Sequence, residues 1–139
     1  MAMKDWDRVL IDTSAWIDFF RGKEPCRGAI LRLMEEEGRF CCVGLVLAEL
    51  MQGAKSDKEL AVIEDFIHVF DFLPESPELW EKAGRLAYRL RRAGKTVGLS
   101  DCCIAVASAR AKASLLMLDG HFAPMEKEAG IRLVRLSTS

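Results

Sequence analysis

No stretch of this sequence approaches the roughly 20 consecutive apolar residues that a membrane-spanning helix requires. The opening "MAMKDWDR" is too charged and too short of apolar length for a secretory leader, so a cytoplasmic protein is expected. An excess of charge is also missing. With 20 basic and 21 acidic side chains the net charge is −1, and no whole-molecule field draws in a polyanion. Any nucleic-acid partner must be held by a local basic patch or through bound cations. Cys-x-x-Cys spacing is absent: the five cysteines are odd in number and include two adjacent pairs, Cys41 with Cys42 and Cys102 with Cys103. A zinc site or disulfide framework is therefore not expected, and the thiols read as small reduced core residues. Glycine-rich phosphate loops, internal repeats, low-complexity segments and linkers are absent too.

What remains is an ordinary globular composition, 50% apolar and 29% charged over 139 residues, enough for one domain spanning 1–139 around a single core. Short apolar runs predict strands at Arg8 to Ile11, Arg39 to Val43, Val69 to Leu73 and Leu115 to Leu118, with a weaker fifth at Arg132 to Leu136. They lack clean alternation, which is how strands look when helices cover both faces of a parallel sheet. Helical spacing fills the gaps. Ala29 and Leu33 lead to Gly38 as a C-terminal cap, and Leu79, Ala83, Leu86, Ala87 and Leu90 share one face of a helix over 79–93, with Ser76 as N-cap and Gly94 as terminator. "CCIAVASARA" predicts a deeply packed helix from about Asp101 to Lys112. The expected fold is an α/β/α sandwich with a central, mostly parallel sheet of four to five strands flanked by helices.

Ligands of such sheets bind beyond the carboxyl ends of the strands. Asp12 follows the first strand, Asp119 follows "LLML", Asp101 opens the buried helix, and Glu49 interrupts the apolar helix "GLVLAELMQG" after the second strand. Each has a plain alternative: Asp12 as a loop or cap residue, Asp101 with Ser100 as a helix cap, and Asp119 with Gly120 as a turn. Glu49 resists such a reading, because a lone charge among apolar residues is costly unless exposed or paired. Gathered carboxylates need cations to stay ionised, and an all-oxygen set favours Mg²⁺ or Mn²⁺ over zinc. Hydrolysis of a phosphodiester suits that arrangement, since these ions activate water and offset charge on the leaving oxygen.

With "VLIDTSAWIDFFRG", "LAELMQG", "GLSDCCIAVAS" and "LLMLDGHF" in this order, the chain resembles PIN-domain proteins, in particular the VapC-type toxins of toxin–antitoxin pairs. The resemblance implies a PIN-like fold and an Mg²⁺-dependent endoribonuclease, with Mn²⁺ as a substitute, that cuts RNA such as tRNA or rRNA and halts translation. It also implies a VapB-type antitoxin and a homodimer. Position by position it places the four site acids at Asp12, Glu49, Asp101 and Asp119. Asp12 and Asp101 would be direct metal ligands, Glu49 and Asp119 would act directly or through water, and Thr13 or Ser14 would order the site. Where many relatives have a further acid two positions after the fourth, this chain has His121.

Other residues invite both functional and plain readings. Arg85, Arg89 and Arg92 could contact the RNA backbone or form a solvated helix face. Trp16, Phe19 and Phe20 suit core or dimer packing, or contact with the antitoxin, whereas His68 reads as structural and Asp18 as surface. A haloacid-dehalogenase-like phosphatase would need a second aspartate where Ser14 stands, and the acidic pair of a phospho-receiver is missing. The alternative from another class is a PIN-fold binding or adaptor module whose metal site is idle.

Overall fold

Val9, Leu10 and Ile11 are consecutive and all buried, which is possible in a strand only where both faces of the sheet are covered. In the computed structural model, which describes residues 8–35, 39–68, 70–118 and 125–136, they belong to β1 (Arg8–Ile11), the middle strand of the sheet. β1 pairs in parallel with β2 (Arg39–Cys42), Leu10 opposite Cys41, and with β4 (Ala113–Met117), Ile11 opposite Leu116. β3 (Asp71–Phe72) and β5 (Arg132–Arg135) extend the two edges, also in parallel. Among the described residues the sheet has five strands in the order β3-β2-β1-β4-β5. The expected α/β/α fold is thus present, with the sheet parallel throughout.

The crossovers set the layers. α1 (Thr13–Phe20) and α2 (Cys26–Glu35) join β1 to β2, and α3 (Gly44–Gln52) and α4 (Asp57–Ile67) join β2 to β3. α5 (Pro77–Arg92) and α6 (Leu99–Ala111) lead back across the sheet to β4, and α7 (Glu126–Ala129) precedes β5. The direction of travel reverses after β3, so right-handed connections place α5 and α6 on the opposite face from α1 to α4. The packing agrees: α1 touches α2 and α3, α3 touches α4, and α6 lies between α5 and β4.

Two expected strands shift. Within the run 69–73 the described strand is Asp71–Phe72, both exposed, and the Leu73 N–H still donates to Cys42 O at 2.8 Å; an edge strand with little apolar cover gains little from a longer ladder, and Val69 lies outside the described residues. β4 starts at Ala113 rather than Leu115, since Ala113 and Ser114 already pair with Arg8 and Val9. Gly38 also lies outside the described residues.

α5 illustrates how local chemistry fixes an element. The Leu79 N–H donates to the Ser76 hydroxyl oxygen at 3.4 Å, and Pro77 occupies the first turn, where its missing N–H costs nothing. Leu79, Ala83, Leu86 and Leu90 are buried, and the chain leaves through Gly94 at φ +79°, a conformation suited to glycine. α6 is buried continuously from Cys102 to Ser108.

Trp16 is fully buried, so the core reading holds for it and an antitoxin contact does not. Its ring lies 5.4 to 6.3 Å from those of Phe19, Phe20, Phe40, Phe66 and Phe70, which locks α1 to β2 and to α4. Asp18 is half-buried rather than on the surface.

Candidate active site

The topological switch lies between β1 and β4, because the chain leaves β1 toward β2 but returns to its other side as β4. Asp12 stands at that point. Its backbone N–H donates to Leu116 O at 2.9 Å, which extends the β1–β4 pairing by one residue, and its carbonyl accepts the Trp16 N–H at 3.1 Å to start α1. Asp12 therefore occupies the N-cap position, yet its side chain makes no cap bond. The carboxylate receives the Ser14 hydroxyl instead, Oγ to Oδ2 at 2.5 Å, and the residue is 3% exposed. Burying a carboxylate is costly unless it is partnered, and the neighbouring hydroxyl supplies one partner.

Glu49 comes to the same edge on α3. The Thr13 hydroxyl donates to its Oε1 at 2.8 Å, joining α1 to α3 and explaining how a half-buried acid is tolerated among apolar residues. The consecutive hydroxyls Thr13 and Ser14 thus hold two different acids, Glu49 and Asp12.

Asp101 lies in the first turn of α6, half-buried, with Gly98 as the N-cap. Ser100 and Asp101 are inside the helix, so neither is its capping residue. A helix N-terminus is a favourable place for negative charge. The side of α6 near Asp101 adjoins α3: Cys103, two residues on, feels the charges of Glu49 and Glu75.

Glu75, in the loop after β3, is an acid at this edge that sequence reasoning did not single out. Its Oε2 is 2.7 Å from where a Cβ on Gly44 would lie, so the carboxylate covers the start of α3 and a side chain there would push the flexible end of Glu75 aside. A signal was present, since Glu75 follows a strand as Asp12 does. Its position over the α3 N-terminus gives it a structural role there.

The thiols beside the acids stay protonated. Burial pushes Cys103 up to about 11, aided by Glu75, Cys102 and Glu49, and raises Cys102, aided by Asp101. Burial likewise raises Cys26 and Cys41 to about 11 and Cys42 to about 12. All five are free and buried, as small core residues should be, and a thiol held neutral is neither nucleophile nor metal ligand.

The donors at this edge are therefore oxygens, carboxylates steadied by hydroxyls, which fits a hard divalent cation. Among the described residues no three Asp, Glu, His or Cys side chains converge closely enough to hold an ion unaided. Asp119 and His121 lie outside the described residues.

The cationic candidates lie elsewhere. Arg85, Arg89 and Arg92 are exposed on α5, with Arg85 bonded to Glu81 at 3.1 Å. Lys82, Arg85 and Arg89, with Arg110 of α6, line a groove of about 440 Å³. From Asp101 to Ala109 at the groove is eight residues of helix, or roughly 12 Å at 1.5 Å each. No described helix is long and apolar enough to cross a membrane.

Known proteins resemble the chain over most of its length. The sequence model of the PIN domain family matches residues 9–128. The chain is 31% identical over 118 residues to Ribonuclease VapC11 of Mycobacterium tuberculosis, covering 82% of this chain and 88% of that protein. It is 30% identical over 129 residues to the tRNA(fMet)-specific endonuclease VapC of Shigella flexneri, covering 90% and 95%. The crystal structure of DNA-bound VapBC from Salmonella typhimurium superposes with a TM-score of 0.71 at 26% identity, over 92% of this chain and 97% of that one. The order of the strands, the acid at the switch point and these matches together place the chain: it belongs to the PIN-domain family, among the VapC ribonucleases.

Proposed function

We propose that the chain is a metal-dependent endoribonuclease that hydrolyses RNA phosphodiesters at the edge formed by Asp12, Glu49 and Asp101, joined by Asp119. The observation that carries this reading is the pair of hydroxyl-to-carboxylate bonds, Ser14 to Asp12 and Thr13 to Glu49, at the switch point of the sheet. The ribonuclease relatives support it. Asp12 and Asp101 would hold Mg²⁺ or Mn²⁺, with Glu49 and Asp119 acting directly or through water. When bound, such an ion supplies Lewis acidity toward the phosphate and toward water.

The chain's own part is positioning. Ser14 fixes one oxygen of the Asp12 carboxylate, and near-complete burial of Asp12 keeps bulk water from competing for it. Thr13 fixes Glu49 across the gap between helices, so that both acids keep their rotamers without reorganisation during reaction. The α6 N-terminus adds a positive dipole end beneath Asp101. Arg85, Arg89 and Arg92 would carry the RNA backbone at a distance from the acids. As in the toxin–antitoxin pairs that it resembles, the substrate would be tRNA or rRNA, cleavage would arrest translation in the cytoplasm, and a VapB-type antitoxin would restrain it.

Purified protein incubated with total RNA in Mg²⁺, Mn²⁺ or EDTA, beside Asp101→Asn, tests the proposal. Cleavage is expected only for the unaltered chain with metal. Cleavage that persists in EDTA or in the variant would sink the metal-nuclease reading, and failure to cut any RNA would favour the binding module. In cells, Asp12→Ala should abolish growth arrest while leaving the circular dichroism spectrum unchanged.

A further inference from the structure

α5 has a third face that neither the core nor the cationic groove uses. Trp80, Gly84 and Tyr88 are spaced four residues apart and so lie along one side of the helix. Toward its C-terminal end this face carries a hollow of about 410 Å³, whose walls include Gly84, Tyr88, Arg91, Lys95, Val97 and Leu99. Tyr88 is 54% exposed and Leu99 57%, so a flat ring and an aliphatic side chain face solvent there. Gly84, one turn before Tyr88, adds no side chain to fill the space. Glycine inside a helix is destabilising relative to alanine, and nothing within the chain demands it, because a Cβ there would meet nothing within 4 Å.

Charge and position say what the hollow suits. Among the described residues no acid lines it, and Arg91 and Lys95 on its wall join no ion pair, whereas Lys82, Arg85 and Arg110 of the neighbouring groove are paired with Glu78 or Glu81. The hollow also adjoins the acidic edge. Asp101 Oδ2 lies 3.9 Å from where a Cβ on Gly98 would be, and Gly98 stands between Val97 and Leu99, two of the hollow's walls. Carboxylate and hollow thus flank the same segment, 97–99. Arg92, one turn beyond Tyr88, joins the hollow to the stripe of Arg85 and Arg89. An exposed ring over an apolar hollow, with cations to spare beside it, has the chemistry of a site for one unpaired nucleotide. Every base has a face that stacks on tyrosine, and its backbone phosphate calls for cations. A duplex keeps that face inside its own stack.

We infer that the hollow takes an unpaired base of the RNA, next to the phosphate at the acids, stacked on Tyr88 and packed against Leu99, with Arg91 and Lys95 on its backbone. Tyr88 thereby sets specificity: the chain acts where a base can leave its stack. The inference rests on the proposed ribonuclease reading for the identity of the ligand, and its test reads binding apart from cleavage.

Binding of a short fluorescein-labelled single-stranded RNA to the full chain in EDTA tests it, beside the same strand annealed to its complement. The unaltered chain should bind the single strand. Tyr88→Ala, at an exposed position, should weaken that binding roughly 5- to 160-fold, the range for one stacked base, and leave duplex binding unchanged. Tyr88→Phe, which keeps the ring, should bind as the unaltered chain does. Gly84→Gln has open space within the chain but fills the hollow, so it should weaken single-strand binding with an undiminished helical circular dichroism signal. Single-strand binding that survives Tyr88→Ala, or that falls equally on the duplex, overturns the inference, as does failure of the unaltered chain to bind the single strand. A Tyr88→Ala chain that sediments differently from the unaltered one overturns it too, and gives the hollow to a protein contact. Cleavage in Mg²⁺ by a chain whose binding ignores Tyr88 sinks this site alone, and Tyr88-dependent binding without cleavage in any metal sinks the nuclease alone.

Discussion

Thr13 and Ser14 show how much a single hydroxyl can decide. Each donates to a carboxylate that the fold would otherwise bury or half-bury without that bond. Thr13→Val keeps the side-chain shape but removes the donor to Glu49. A lost hydrogen bond to a charged group is worth about 1.5–3 kcal/mol, which corresponds to roughly 10- to 160-fold in rate if it is felt in the transition state. RNA cleavage by Thr13→Val should fall within that range, and Thr13→Ser, which restores the hydroxyl, should recover most of it. Equal loss in both variants would show that Thr13 acts by packing rather than by positioning Glu49. At this scale the sequence singles out Asp12, Thr13, Ser14 and Glu49 but not how they pair. Asp12 reads as a helix cap from its position, and only the structure shows its side chain bonded to Ser14 instead. Glu75 was passed over because its partner, the start of α3 at Gly44, is 31 residues away in the chain.

Among the elements, α5 was legible on two faces and silent on the third. Its buried stripe follows from apolar spacing, and its arginines are visible as a charged stripe. The exposed line through Trp80, Gly84 and Tyr88 has no counterpart in those patterns, because a helix of mixed character averages it away. The proposed role of the arginines has a thermodynamic signature. Each phosphate contact with a single strand contributes about 0.7 to the slope of log affinity against log salt. Replacing Arg85, Arg89 and Arg92 together with alanine should therefore flatten that slope by about 2 when binding of RNA to the inactive Asp101→Asn chain is titrated. An unchanged slope would return them to a solvated helix face. Arg85, already bonded to Glu81, should contribute least. β1 was located to the residue, because its apolar run is buried on both sides, whereas the small and polar Ala113 and Ser114 hid the start of β4. β3 was overestimated because an apolar run at a sheet edge looks the same in sequence as one at its centre.

Over the whole molecule, the buried thiols make stability depend on alkaline pH. Burial raises four of them to about 11 or 12 from an ordinary value of 9.0, so the fold keeps its protons while an unfolded chain would release them. Below about pH 9 neither state loses a thiol proton and this contribution is complete; between about 9 and 11 the unfolded state gains by ionising, so stability must fall as pH rises. Thermal unfolding followed across that window should show a declining midpoint, and replacing Cys41 and Cys42 with alanine should flatten the decline. A decline of the same steepness in that variant would assign it to other groups.

The central position of β1 also has a consequence for biosynthesis. β1 is made before both of its neighbours: it acquires one from residues 39–42 but must wait for residues 113–117 to acquire the other. Until then the Asp12 amide has no Leu116 carbonyl to bond, and Asp101 has only just been added to the chain. A nascent chain is thus without this pairing at the Asp12 edge until β4 has been made. Pairings this distant in sequence are the slow kind to form. An enzyme proposed to attack RNA of the translation machinery would thereby spare the ribosome that is making it at least until β4 has been added.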